Sequence, residues 1–269
     1  MGHYQTIRTH TDNDILTITM NRPERRNALS PVMIDELVDI LHRAGNSNCD
    51  AVILTGSGSA FCAGLDLDHL ESITAKTHEQ HRADSEHIAG LFRTLHDVPK
   101  PTIAAVNGAA VAGGMGLATI CDFTLCVPEA KFGYTEVRIG FIPAIVSSFL
   151  IRQIGDKRSR DLLLTGRLIK AEEAYEMGLI TRIVSEQDLM REAHALAHTL
   201  QRNSPEAMRA TKRLLNEFVN HRLNEELEKA IAANADARAT QDFKEGVLAF
   251  LEKRAPHWPS RKLPVSAGK

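Results

Sequence analysis

The sequence has 269 residues, and its hydrophobic and charged fractions, 43% and 25%, are those of an ordinary folded protein, which excludes a disordered or collagen-like chain. Lys and Arg number 32 and Asp and Glu 34, so the net charge of -2 argues against a surface that binds nucleic acid. No apolar stretch approaches the roughly 20 residues needed to span a bilayer, and the polar N-terminus lacks the pattern of a signal peptide. We therefore expect a cytoplasmic protein without a membrane segment.

The beginning of the chain predicts two strands, a helix and a third strand. In ILTITM, residues 15–20, apolar residues alternate with threonine after the turn signal DND, as in a β-hairpin. From Pro31 onward, apolar residues recur at helical spacing, and Ser30 is placed to cap this helix. The run AVILTG, residues 51–56, is too short for a helix and is typical of a strand buried on both faces.

A similar unit follows, and the last third of the chain is helical. We expect a helix near 87–96, strands at 102–108 and 122–127, and a glycine cluster with a short helix between these strands. Strands that alternate with helical crossovers predict an α/β layer architecture. After Ile183, apolar residues recur at helical spacing. No linker separates this helical part, so we expect it to pack on the core or on a neighbouring subunit.

Two glycine-containing turns follow predicted strands and are candidate binding loops. TGSGSAF, residues 55–61, has phenylalanine where a dinucleotide-binding loop needs its third glycine, and neither turn is followed by the G-K-[ST] of a P-loop. The four cysteines lack C-x-x-C spacing and the twelve histidines lack H-E-x-x-H spacing. We therefore expect neither a nucleotide-binding loop of these kinds nor a metal site.

Three segments in a fixed order carry a resemblance to a known family. They are FCAGLDLD at 61–68, NGAAVAGGMGLATICD at 107–122 and KFGYTEVRIGFIP at 131–143. Together they resemble the crotonase, or enoyl-CoA hydratase/isomerase, superfamily. The similarity extends from NRPERRNALS at 21–30 to DFKEGVLAFLEKR at 242–254 and so covers nearly the whole chain.

The resemblance implies a fold, an assembly and a substrate class. The expected fold is α/β, a crotonase-like spiral of ββα units with the acyl-CoA site in residues 1–195. Residues 196–269 would form a C-terminal helical region that drives assembly into a homo-trimer or a hexamer, a dimer of trimers. The expected partner is an acyl-CoA thioester, and no cofactor is expected beyond the coenzyme A of the substrate.

The resemblance also implies catalytic roles for three residues. The backbone N–H groups of Leu65 and Gly113 would form an oxyanion hole for the thioester oxygen of an enolate. Glu136 matches the second of the two glutamates that hold a water molecule in the hydratases of the family. At the position of the first glutamate, this sequence has Gly116.

Contacts with coenzyme A can be carried over in the same way. The loop 63–68 would lie beside the thioester and pantetheine, although many relatives have lysine at the position of Asp68. Arginine suits the phosphates of the nucleotide end, and two residues of the C-terminal helix would reach the adenine from an adjacent subunit. The implied binding residues are Arg25, Arg26, Ala63, Leu65, Asp66, Leu67, Asp68, Gly113, Phe250 and Lys253.

Three functional hypotheses remain. Because one carboxylate is enough to move a proton between two carbons, double-bond isomerisation of an enoyl-CoA by Glu136 is favoured. The alternative is a hydratase, a lyase, in which the second carboxylate comes from the polar stretch that contains Asp68, Glu71, Asp84 and Glu86. A hypothesis of another class is a non-catalytic or RNA-binding homologue, against which the net charge and Glu136 both argue.

Overall fold

The computed structural model describes residues 4–262, without the side chains of Leu67, of residues 219–221 and of residue 262. The strands in this part of the chain are β1 (Ile7–Asp12), β2 (Ile15–Met20), β3 (Ala51–Gly56), β4 (Ala60–Cys62), β5 (Thr102–Val106), β6 (Ala109–Val111), β7 (Phe123–Cys126), β8 (Lys131–Gly133), β9 (Ile169–Lys170) and β10 (Arg182–Ile183). The helices are α1 (Pro31–Gly45), α2 (Leu67–Ile73), α3 (His78–Asp97), α4 (Gly113–Ile120), α5 (Ala144–Thr165), α6 (Ala171–Glu176), α7 (Leu189–Gln201), α8 (Pro205–Arg238) and α9 (Gln241–Leu251).

The strands form two sheets that are filled alternately along the chain. The larger sheet has the order β1-β2-β3-β5-β7-β10, and the smaller sheet has the order β4-β6-β8-β9. In each of the pairs β3 and β4, β5 and β6, and β7 and β8, the first strand enters the larger sheet and the second enters the smaller one. A helix follows each pair. This repetition is the predicted spiral of ββα units.

The predicted early elements are confirmed, and each has a local cause. Strands β1 and β2 pair antiparallel through a turn at Asn13 and Asp14, which both have positive φ and are residue types that tolerate this conformation. Helix α1 begins after Ser30, whose Oγ accepts a hydrogen bond from Met33 N at 3.2 Å. Strand β3 is buried along almost its whole length and pairs parallel with both neighbours, β2 and β5.

Helix α3 is twice as long as the sequence indicates, because its first half is polar. It begins at His78, where Thr77 and Gln80 form a capping box with reciprocal side-chain and backbone hydrogen bonds. Within this polar half, the side chains of His81 and Ser85 are buried against the rest of the molecule. The helix was predicted only from residue 87 because apolar spacing is weak before that point.

The C-terminal helices pack on the core of their own chain. Helix α7 lies on β3 and β5, so the predicted boundary between residues 195 and 196 falls inside a helix that belongs to the sheet layer. Helix α8 packs along α3 and α5, and α9 packs on the 3-10 turn Glu136–Ile139. Among residues 4–262, no helix has both the length and the apolar character needed to cross a membrane.

Candidate active site

Two backbone turns meet where strands β4 and β6 end. These strands are parallel neighbours, so the turns that leave them, at Leu65 and at Gly113, lie at the same edge of the smaller sheet. Leu29 brackets the first turn, since its N–H donates to Gly64 O at 2.7 Å and its carbonyl accepts from Asp66 N at 3.0 Å. The Leu65 N–H between these two bonds makes no backbone hydrogen bond in the described chain. It is therefore available to a ligand.

The second N–H group comes from the start of α4. Gly113 is the first residue of this helix, where an N–H has no partner within the helix and the helix dipole favours negative charge. The preceding residue, Ala112, has φ +52° and ψ -124°, a strained conformation for a residue with a side chain. This conformation sets the orientation of the peptide that carries the Gly113 N–H. Ala112 is held there by a hydrogen bond from its own N–H to Gly133 O, at 2.7 Å.

Glycines allow the two turns to approach closely. A Cβ atom on Gly64 would lie 2.9 Å from Ala112 Cβ and 3.7 Å from Gly113 N, which shows how near the first turn is to the second donor. A Cβ atom on Gly114 would lie 2.1 Å from the carbonyl oxygen of Cys62 in β4. Helix α4 can therefore rest on β4 only with glycine at position 114. The two N–H groups are placed by backbone packing.

Glu136 opens the 3-10 turn Glu136–Ile139, and its side chain is only 8% exposed. Its Oε2 is buried and has no hydrogen-bond partner in the described residues. Burial raises the pKa of Glu136 to about 7, because loss of solvation disfavours the charged form. A carboxyl group with this pKa exists in both protonation states near neutral pH, as a proton shuttle requires.

Leu65, Gly113 and Glu136 lie around one cavity of about 130 Å³. The predicted catalytic residues, which come from three separate segments, are thus brought together. Glu136 is the one carboxylate among the lining residues in the described chain. The remaining wall is mostly apolar and consists of Ala63, Leu70, Ile88, Phe92, Ala112, Thr135, Ile139, Phe141, Ile142, Pro143, Ala144, Ile145, Val146, Asn234, Arg238 and Phe250.

Apolar side chains fill the place of the first family glutamate. A Cβ atom on Gly116 would lie 2.7 Å from Val146 Cγ1 and 3.0 Å from Phe92 Cε1. Both side chains are buried and line the cavity. Any side chain at position 116 would therefore require Val146 or Phe92 to shift.

The four acidic residues considered as a replacement lie outside the cavity lining. Asp68 pairs with Arg25 at 3.0 Å, and Glu86 pairs with Arg82 at 2.8 Å, all on the exposed surface. Glu71 is exposed as well. The remaining residue, Asp84, lies behind the wall in ion pairs that are described below. None of the four therefore lies beside Glu136 in the cavity lining.

The residues predicted to bind coenzyme A separate into three groups. Ala63, Leu65 and Gly113 line the cavity. Asp66 is buried and caps α2 through a 3.0 Å bond to Asp68 N, while it pairs with Arg22 at 2.6 Å, so it supports the loop. Like Asp66, the predicted residues Arg25, Asp68 and Lys253 line neither the cavity nor the groove beside it, and the Leu67 side chain is outside the described residues.

A groove of about 400 Å³ adjoins the cavity and contains the third group. Arg26 lines this groove together with Arg138 and Arg254, two arginines that the sequence did not indicate. Phe250 lines both the groove and the cavity. The resemblance placed Phe250 at the site of an adjacent subunit, but α9 already brings it to the site of its own chain.

Comparisons with known proteins show the family to which the chain belongs. A family model described as enoyl-CoA hydratase/isomerase matches residues 10–261. A Thermus thermophilus protein that is named an enoyl-CoA hydratase is 45% identical over 245 residues, which are 91% of this chain and 97% of that protein. The crotonyl-CoA hydratase of Syntrophomonas wolfei is 32% identical over 96% of this chain and 99% of its own length.

Solved structures show the same fold. An enoyl-CoA hydratase/isomerase from Xanthobacter autotrophicus Py2 superimposes with a TM-score of 0.87 at 29% identity, over 97% of this chain and 100% of that one. The protein therefore has the crotonase fold. It belongs to the enoyl-CoA hydratase/isomerase family and is an enzyme of that family.

Proposed function

We propose that this enzyme moves the double bond of an enoyl-CoA thioester from the C3–C4 position to the C2–C3 position, with Glu136 as the proton shuttle. The observation that carries the proposal is that Glu136 is the sole carboxylate lining the cavity in the described chain, is buried and has an unpartnered Oε2. The apolar wall suits an acyl chain, and the free N–H groups of Leu65 and Gly113 suit a thioester oxygen.

The reaction needs one base and one anion-stabilising site. In a 3-enoyl thioester, the Glu136 carboxylate removes a proton from C2, and the electron pair moves onto the thioester oxygen as a dienolate. The Leu65 and Gly113 N–H groups donate to that oxygen. Protonated Glu136 then returns the proton to C4, which leaves the double bond between C2 and C3. No atom is gained or lost, and no cofactor beyond the coenzyme A of the substrate takes part.

The basic groove is proposed to hold the coenzyme A part of the substrate. Arg26, Arg138 and Arg254 line it, and guanidinium groups suit phosphates. Arg254 is held in place by ion pairs with Glu245 and Glu252, at 2.7 and 2.6 Å. Because Phe250 borders both spaces, the groove lies next to the cavity.

A substrate panel tests this function. We expect the purified enzyme to convert 3-hexenoyl-CoA into 2-hexenoyl-CoA at least tenfold faster than it hydrates crotonyl-CoA. Isomerisation requires only the transfer of a proton, whereas hydration requires a water molecule that is both deprotonated and correctly oriented toward C3 of the substrate. Chromatographic separation of the CoA products from parallel reactions measures both rates. Hydration that equals or exceeds isomerisation would contradict the proposal.

Hydration remains the second candidate, because the relatives from Thermus thermophilus and Syntrophomonas wolfei are both named hydratases. In that case Glu136 alone would hold the attacking water. A non-catalytic or RNA-binding role has no supporting observation in the structure, where a buried carboxyl with a pKa near 7 faces a cavity.

Restoring the missing glutamate should favour hydration only when space is made for it. Since Val146 Cγ1 would lie 2.7 Å from a new Cβ at position 116, we expect Gly116→Glu alone to destabilise the protein. The double variant Gly116→Glu, Val146→Ala should raise the ratio of hydration to isomerisation, as measured with the same panel. Val146→Ala is the control for the altered wall. An unchanged ratio in a folded double variant would contradict the role given to position 116.

We propose that the chain assembles through its helix α8. Helix α8 exposes Leu214, Leu215 and Phe218, large apolar side chains of the kind that subunit contacts cover. This supports the proposed homo-trimer or hexamer. The cytoplasmic location is likewise kept as a prediction from the sequence.

A further inference from the structure

One part of the cavity wall does not suit a hydrocarbon chain. Arg238, the last residue of α8, lines the cavity although its side chain is only 1% exposed. Its Cζ lies 5.4 Å from the centroid of the Phe141 ring, which lines the same cavity. Phe141 is joined to the catalytic turn, because its N–H donates to Glu136 O at 3.0 Å. The Phe141 side chain therefore contacts the Arg238 guanidinium group, and its backbone is bonded to Glu136.

The hydrogen-bonding capacity of Arg238 is largely unused. A guanidinium group has five N–H donors, but in the described chain its one hydrogen bond joins Nη1 to Asp84 Oδ2, at a long 3.5 Å. The Nε atom is buried and has no partner. Asn234, one turn earlier on α8, also lines the cavity and is held by Ser85 Oγ at 2.8 Å from its Oδ1. Arg238 and Asn234 thus add two polar side chains to a mostly apolar wall.

In the described chain, Arg238 has one ion-pair partner, Asp84. Asp84 Oδ2 lies closer to Lys76 Nζ, at 2.6 Å, than to Arg238. Arg238 therefore shares this carboxylate with Lys76 and has no other carboxylate partner among the described residues. Burial lowers the pKa of Arg238 from its ordinary value, and Asp84 opposes this only in part. A buried cation with free donors is costly unless an anion pairs with it.

We propose that the acyl group bound here ends in a carboxylate that pairs with Arg238, so that the substrate is the CoA monothioester of a short unsaturated dicarboxylic acid. The carboxylate would accept hydrogen bonds from the guanidinium group, with the Asn234 amide beside it. The cavity of about 130 Å³ favours a short acyl chain between the thioester and this end. The inference rests on the proposed acyl-CoA function and adds the class of acyl group.

Binding of unreactive saturated esters tests this proposal without any catalytic step. Glutaryl-CoA and pentanoyl-CoA both have five-carbon acyl chains, but the first ends in a carboxylate and the second in a methyl group. Adipoyl-CoA and hexanoyl-CoA are the matched six-carbon pair. We expect isothermal titration calorimetry to show that the carboxylated member of at least one pair binds at least tenfold more tightly than its apolar counterpart. Equal or weaker binding of the carboxylated esters in both pairs would overturn the proposal.

Variants distinguish the effect of the Arg238 charge from a general loss of stability. Arg238→Met keeps much of the side-chain volume. It should abolish the preference for the carboxylated ester without weakening the binding of the apolar ester. Asp84→Asn should tighten binding of the carboxylated ester, an increase that general destabilisation would not produce. Arg82→Met is the control, because Arg82 pairs on the surface with Glu86 and Glu228. A preference that persists in Arg238→Met would overturn the assignment to this residue. Failure of both esters and of free CoA to bind would instead contradict the acyl-CoA site, and the inference with it.

Discussion

Replacement of Glu136 by glutamine should lower the turnover number for the isomerisation by roughly 10²-fold or more. The amide has almost the same shape as the carboxyl group but cannot accept the proton from C2. Since the Leu65 and Gly113 N–H groups and the basic groove are unchanged, binding of the CoA ester should be almost unaffected. Steady-state rates with 3-hexenoyl-CoA and calorimetric binding of hexanoyl-CoA measure these two effects.

The pH dependence gives a second readout of the same residue. With a pKa raised to about 7 by burial, Glu136 is protonated below that pH and cannot act as a base. The kcat/KM of the unmodified enzyme should therefore rise as pH increases through about 7, and residual activity of Glu136→Gln should lack this step. A variant that keeps near-full activity, or the same pH step, would remove Glu136 from the mechanism.

Gly114→Ala should destabilise the protein by about 3 kcal/mol or more and abolish activity. The new Cβ would lie 2.1 Å from Cys62 O, a backbone atom within β4 that cannot move away as the end of a flexible side chain can. Relief requires α4 to separate from β4, which displaces the Gly113 N–H from the Leu65 turn. Thermal denaturation and turnover measure the two consequences.

Gly90→Ala is the matched control for this change. Gly90 lies within α3 and a Cβ there meets nothing within 4 Å, so alanine should leave activity unchanged and stabilise the helix by up to about 1 kcal/mol. If Gly114→Ala had the melting temperature and turnover number of the unmodified enzyme, the close contact between α4 and β4 would not be what positions the Gly113 N–H.

The parts of the site that sequence motifs predict are those made within short segments. Glu136, Leu65 and Gly113 each stand in a motif whose order along the chain is diagnostic, and the structure brings them to one cavity. The strained conformation of Ala112 was not predicted, because alanine gives no sign of a positive φ. The short strands of the smaller sheet were also missed, since three residues are too few for a periodic pattern.

Residues that act through distant packing left no signal in the sequence. Arg238 and Asn234 stand on a long helix rich in charged residues, where such side chains are usually solvated. They are buried because α8 packs along α3, which is more than a hundred residues earlier and whose first half was itself not predicted as a helix. The polar part of the cavity wall therefore depends on the contact between α8 and α3, which local patterns do not encode.

The packing of α9 on the turn Glu136–Ile139 has a consequence for how the protein is made. The cavity combines residues from Ala63 to Val146 with a closing part that runs from Asn234 to Phe250. On the ribosome, the sheets and the turns at Leu65 and Gly113 can form while the closing part is still being synthesised, because chains fold progressively from the N-terminus. Until then the Glu136 turn lacks the helix that covers it. A nascent chain thus contains Leu65, Gly113 and Glu136 well before it has an enclosed cavity.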